Sequence, residues 1–87
     1  MTYEVRWARA AQRDLMRVPE RFAAAIVNYI ERLLADQPYR MSKPLAEPFA
    51  GWRSARYGAY RIVFEVDEDK TVMVIRRIGH RADVYRP

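Results

Sequence analysis

The feature that most restricts the fold of this 87-residue sequence is the order in which its hydrophobic period changes. Residues 2–7 (TYEVRW) alternate, with Tyr3, Val5 and Trp7 on one side, which is the period of a strand. From residue 8 the spacing turns helical: Ala8, Ala11, Leu15 and Val18 recur, while Arg9, Arg13, Asp14 and Arg17 fall mostly elsewhere. Pro19 ends that helix and suits the first turn of a second, with Glu20 near the positive helix terminus. The second helix is predicted to reach residue 35 on a stripe of Phe22, Ile26, Ile30 and Leu33, widened by Ala23, Val27 and Leu34. Pro38 closes it, and the short link predicts an antiparallel helix hairpin.

Residues 39–51 carry Pro44, Pro48 and Gly51 and read as an ordered loop. Alternation then returns, predicting strands at 52–56, 60–66 and 71–79, turned at 57–59 and 67–70. Residues 80–87 read as a short polar tail or a last strand. The expected fold is α+β: an N-terminal strand and an antiparallel two-helix hairpin on one face of a small, mostly antiparallel sheet (β-α-α-β-β-β). The whole of 1–87 is expected to be one domain. The uncovered sheet face would then carry Arg61, with Ser54 and Arg56 at spacing two on the neighbouring strand.

Charge indicates where function should lie. The net charge is +5, and fourteen of the sixteen basic residues are arginine, whose planar fork matches two phosphate oxygens at once. From residue 40 to 87, leaving out 65–70, nine basic residues face only Glu47 and Asp83. Such a surface attracts phosphate without specifying chemistry. Other classes fall away. There is no cysteine and one histidine, so disulfide scaffolds and cysteine-based zinc sites are excluded, and the Asp67-Glu68-Asp69 run lacks the ligand spread of a calcium loop. We expect no metal and no cofactor. Three glycines cannot write a phosphate-binding loop, and Ser54, His80 and Asp83 lack the surroundings of a nucleophile elbow. No apolar run is long enough to span a membrane, and the first ten residues lack a signal-peptide core, so a cytoplasmic location is expected.

What remains is a constellation of Arg56, Arg61, His80, Arg81 and Tyr85. Metal-free RNA cleavage needs a deprotonated 2′-hydroxyl, a stabilised pentavalent phosphate and a protonated 5′-oxygen. Fixed cations serve the phosphate. His80 alone titrates near neutrality unperturbed, and Tyr85 could stack on a base or move a proton beside strong cations. Taken singly these residues also have plainer readings: His80 as a surface residue at a strand end, and Arg61 as the ion-pair partner of Glu65.

The motifs and their order resemble the RelE/ParE superfamily of bacterial toxins. The residues that carry this are ARAAQRDL (8–15), KPL (43–45), SARYGAYRIVFEVD (54–67) and RIGHRADVYR (77–86), spread over nearly the whole chain. The resemblance implies the RelE branch, ribosome-dependent endoribonucleases that cut mRNA in the ribosomal A site, leaving 2′,3′-cyclic phosphate or 3′-phosphate ends. The ParE branch, which inhibits DNA gyrase without catalysis, is the alternative. An attenuated member that only binds its antitoxin and operator DNA is a third reading. By motif, Arg61 would hold the scissile phosphate, Arg81 would stabilise charge at the phosphate or leaving group, and Tyr85 would orient or stack on a base. Lys43, Arg53, Ser54 and Arg56 make up the expected phosphate-binding set. Ser54 stands where the family often has a basic residue, and serine is no general base. Either His80 takes over acid–base work, which we expect, or activity is weak. The partners implied are a RelB-like antitoxin with an acidic segment for the basic groove, the ribosome with its mRNA, and operator DNA only through the antitoxin.

Overall fold

The computed structural model describes residues 2–80. Strand β1 (Glu4–Trp7) leads into α1 (Arg9–Arg17) and α2 (Glu20–Tyr29), which a π-helical turn (Ile30–Leu34) prolongs. Four strands follow: β2 (Ser42–Pro44), β3 (Arg53–Tyr57), β4 (Tyr60–Asp67) and β5 (Val72–His80). They form one sheet in the order β1-β5-β4-β3-β2, antiparallel except where β1 runs parallel to β5. This is the expected α+β arrangement with one strand added. Residues 42–44 lie in the segment read as a loop, and they pair with β3 because its outer edge otherwise has no partner. Lys43 and Pro44 suit an edge that must resist further pairing. Among the described residues no helix is long and apolar enough to cross a membrane.

The core lies between the helices and the sheet. Ala11, Val18, Ile26, Ile30 and Leu34 meet Ile62, Phe64, Met73, Ile75 and Ile78 in one buried cluster. The predicted stripe on α2 holds at Ile26 and Ile30 but not at its ends. Phe22 is 38 % exposed and Leu33 54 %, whereas Leu34 is fully buried. Leu34 stands four residues after Ile30 and eight after Ile26, in the same row, and a π turn there, with Ala35 N–H donating to Ile30 O at 2.8 Å (an i→i+5 bond), ends the helix.

β1 is held at its start, where Tyr3 N–H donates to Ala35 O at 2.9 Å and the Tyr3 hydroxyl donates to Glu68 Oε1. That last bond favours the neutral phenol and pushes the Tyr3 pKa up to about 12. At the other hairpin, Tyr57 pairs directly with Tyr60, leaving Gly58 and Ala59 as the loop, with Gly58 at φ +58°. Glycine at the first loop position with positive φ matches the strand twist. Gly58→Ala is expected to cost about 1–2 kcal/mol, because an L-residue meets the following carbonyl there. Chemical denaturation would read this as a lower midpoint with an unchanged slope.

A second feature controls what each face of β5 presents. Val63 pairs with Arg77 but Phe64 pairs with Ile75, so Arg76 is an extra residue in β5. Across the bulge the core positions pass from Met73 and Ile75 to Ile78. Beyond Ile75, β1 has ended with Ala8 N–H on Ile75 O, and the Ile78 N–H of β5 is taken by a side chain. Asp14 Oδ2 of α1 accepts Ile78 N–H at 2.9 Å and Arg77 Nε at 2.7 Å, while Oδ1 accepts Arg77 Nη2 at 3.3 Å. These bonds raise the Arg77 pKa above its ordinary value. Asp14 is 8 % exposed, so the carboxylate acts as a buried link between α1 and the sheet.

Candidate nucleic-acid interface

The basic surface is built by strand register. Arg56 lies directly opposite Arg61 and Ser54 opposite Val63, so these residues share the face turned away from the helices. Lys43 of β2 lies opposite Ser54 and carries the row to the sheet edge. On its other side Arg61 pairs with Gly79, which has no side chain to cover it. The result is an open groove of about 550 Å³ lined by Arg40, Lys43, Ser54, Arg56 and Arg61 with Met41, Ser42, Pro44 and Leu45, none of these described residues acidic.

Within the groove the electrostatics are unresolved in favour of an anion. Like charges directly opposite in a sheet oppose folding by about 0.2–1 kcal/mol. The Nε of Arg61 is buried and has no hydrogen-bond partner among the described residues. The ion pairs among the described residues are Arg6–Glu4, Arg76–Glu65 and Arg77–Asp14, none of them in the groove. The plainer reading of Arg61 as the partner of Glu65 is not met, because Glu65 Oε1 is taken by Arg76, which lies 5.8 Å over the Trp52 ring. A phosphate held between Arg56 and Arg61 would turn mutual repulsion into a clamp.

The structure thus brings together Lys43, Ser54, Arg56 and Arg61, but not two other expected members. Arg53 alternates onto the opposite face with Ala55. There it is occupied structurally, donating from Nε to Ser42 Oγ at 2.7 Å and lying 5.0 Å over the Tyr39 ring. His80 pairs with Tyr60, and their rings meet at 6.3 Å on the helix side of the sheet. The bulge is the cause. Without the extra Arg76, the alternation would put His80 on the face of Arg61; one inserted residue sends it to the other. The expected placing of His80 beside the arginines is therefore corrected. Arg81 and Tyr85 lie outside the described residues. Arg40 was missed as a groove residue, since its only signal in the sequence is its charge.

A family model described as the ParE toxin of type II toxin–antitoxin systems, parDE, matches residues 5–85. The chain belongs to this family, within the RelE/ParE toxins. The toxin is 44 % identical over 86 residues to Toxin RelG of Mycobacterium tuberculosis, covering 99 % of both chains. It is 39 % identical over 84 residues to Toxin RelE of the same organism, covering 97 % of this chain and 87 % of the relative. Among solved structures it resembles the toxin–antitoxin complex RelBE2 of M. tuberculosis, with a TM-score of 0.90, 42 % identity and 95 % of each chain covered. The E. coli RelBE complex matches at TM-score 0.72 and 15 % identity over 90 % of this toxin and 95 % of that chain, a likeness of fold alone.

Proposed function

We propose that this toxin is an endoribonuclease that cleaves mRNA in the ribosomal A site, without a metal, and is neutralised by a RelB-type antitoxin. The observation that carries the reading is the groove in which Arg61 faces Arg56, with no acidic residue and no partner for the buried Arg61 Nε among the described residues. In the reaction the 2′-oxygen attacks the adjacent phosphorus as its proton is removed. The P–O5′ bond then breaks and the 5′-oxygen takes a proton, leaving a 2′,3′-cyclic phosphate and a 5′-hydroxyl. Charge on the non-bridging oxygens rises in the transition state, and Arg56 and Arg61 stabilise it there. Lys43 and Arg40 hold the flanking backbone, and the Ser54 hydroxyl orients rather than deprotonates.

Neither arginine is a proton carrier at neutral pH. With His80 on the far face, we assign proton transfer to Tyr85 and charge at the leaving oxygen to Arg81, by their motif positions. The antitoxin, supported by the toxin–antitoxin complexes among the similar structures, would lay an acidic segment in the same groove. Operator DNA would be reached only through that complex, and the toxin would act in the cytoplasm. Primer extension on mRNA from cells briefly expressing the chain tests the reading. In-frame cuts that disappear with Tyr85→Phe but persist with His80→Gln are expected. Growth arrest with intact mRNA and induced DNA damage would replace this reading with gyrase inhibition, the activity of the ParE branch.

A further inference from the structure

Helix α1 (RAAQRDLMR) breaks several local rules, although Arg17 in its last turn does complement the helix dipole. Arg9, Arg13 and Arg17 recur every four residues, all exposed, and like charges at that spacing weaken a helix. No acidic residue occupies its first turn, where Arg9 instead faces the positive end of the helix dipole. Its one carboxylate, Asp14, is buried and bonded to Arg77 and Ile78, so it neutralises nothing on the surface. Met16, between the arginines, is 86 % exposed.

From these observations we propose that α1 is a second binding surface of the toxin, separate from the groove, and that it holds the phosphate backbone of double-helical RNA. Four residues rise about 6 Å along a helix, so the three arginines leave α1 at regular intervals suited to regularly spaced phosphates. Arg9, Gln12, Arg13, Met16 and Arg17 include no aromatic ring on which unpaired bases could stack, which points to backbone and shape rather than single-strand reading. The choice of RNA over DNA rests on the reading of the toxin as a ribonuclease. Position supports it as well. Arg17 lines a cleft of about 340 Å³ with Tyr60, Arg77, Gly79 and His80, and Gly79 is the direct neighbour of Arg61. The C-terminal end of the row thus lies at the end of the sheet that carries Arg61, on the opposite face from the groove.

The test is a fluorescence titration of a short blunt RNA duplex with the full chain, repeated from about 50 to 200 mM salt. The triple variant Arg9→Gln, Arg13→Gln, Arg17→Gln should lower the slope of log K against log salt by about three, one per arginine. Glutamine nearly matches arginine in helix propensity, so its melting temperature should not fall. Duplex binding is read without mRNA cleavage, so a parental chain that binds the duplex yet leaves mRNA intact separates failure of the functional reading from failure of this proposal. An unchanged slope in the triple variant would overturn the proposal. So would an equal loss per residue from Arg32→Gln, an exposed arginine in the π turn, since binding would then follow net charge alone. A DNA duplex of the same sequence held as tightly as the RNA would overturn the choice of RNA.

Discussion

Replacing Asp14 with alanine is expected to cost about 3 kcal/mol of folding stability and to lower the melting temperature by more than about 10 °C. Three bonds are lost. Two link the carboxylate to the Arg77 guanidinium and one to the Ile78 backbone N–H. Charge-assisted hydrogen bonds of this kind contribute about 1.5–3 kcal/mol each in favourable cases. The Arg77 side chain is 35 % exposed, so it would regain water when its partner is lost, and its share must be discounted. Ile78 N–H cannot do the same, because its surroundings are buried, and an orphaned donor costs about 1–3 kcal/mol. Asp14→Asn keeps an acceptor for Ile78 and should lose roughly half as much. Thermal and urea denaturation of the two variants measure this. A loss below about 1 kcal/mol for Asp14→Ala would show that the α1–β5 link is dispensable.

Arg61→Ala should act in the opposite sense on stability while abolishing cleavage. Removing one fixed cation that stabilises a developing oxyanion typically costs about 10²–10³ in rate. The fold, by contrast, loses a buried Nε with no partner among the described residues and a like-charge contact with Arg56. Both are unfavourable in the free protein, so the melting temperature should stay level or rise. That combination is what separates a functional arginine from a structural one. Arg61→Lys keeps the charge but not the planar fork, and should recover only part of the rate. Cleavage measured by primer extension beside a melting curve of each variant decides it. An Arg61→Ala protein that still cuts at more than about a tenth of the parental rate would remove Arg61 from the chemistry.

Much of this was legible in the residues. Period two along 54–56 and 60–66 places Ser54, Arg56 and Arg61 on one face without any knowledge of neighbours, and the strands agree. The apolar run of residues 72–75 reads as an internal strand and is one, lying between β1 and β4. Gly58 marks its turn because few other residues accept its φ. The failures share a cause. Strand β2 is three residues in a proline-containing segment, and it forms because the edge of β3 is there to receive it. Asp14 reads as a solvent-side acid on an amphipathic helix, yet it is buried by a donor sixty-four residues away. Arg53 has the right charge and the wrong parity.

By itself the sequence determined the order of elements, the arginine-rich charge and the row on the outer sheet face. These depend on local spacing and on residue chemistry. Only the tertiary structure decided which cations meet, that Arg40 and Lys43 join Arg56 and Arg61, and that His80 turns away from them. The physical reason is register. A strand's period is written in its own residues, but a single bulged residue at Arg76, fixed by pairing with β4, reverses every side chain beyond it.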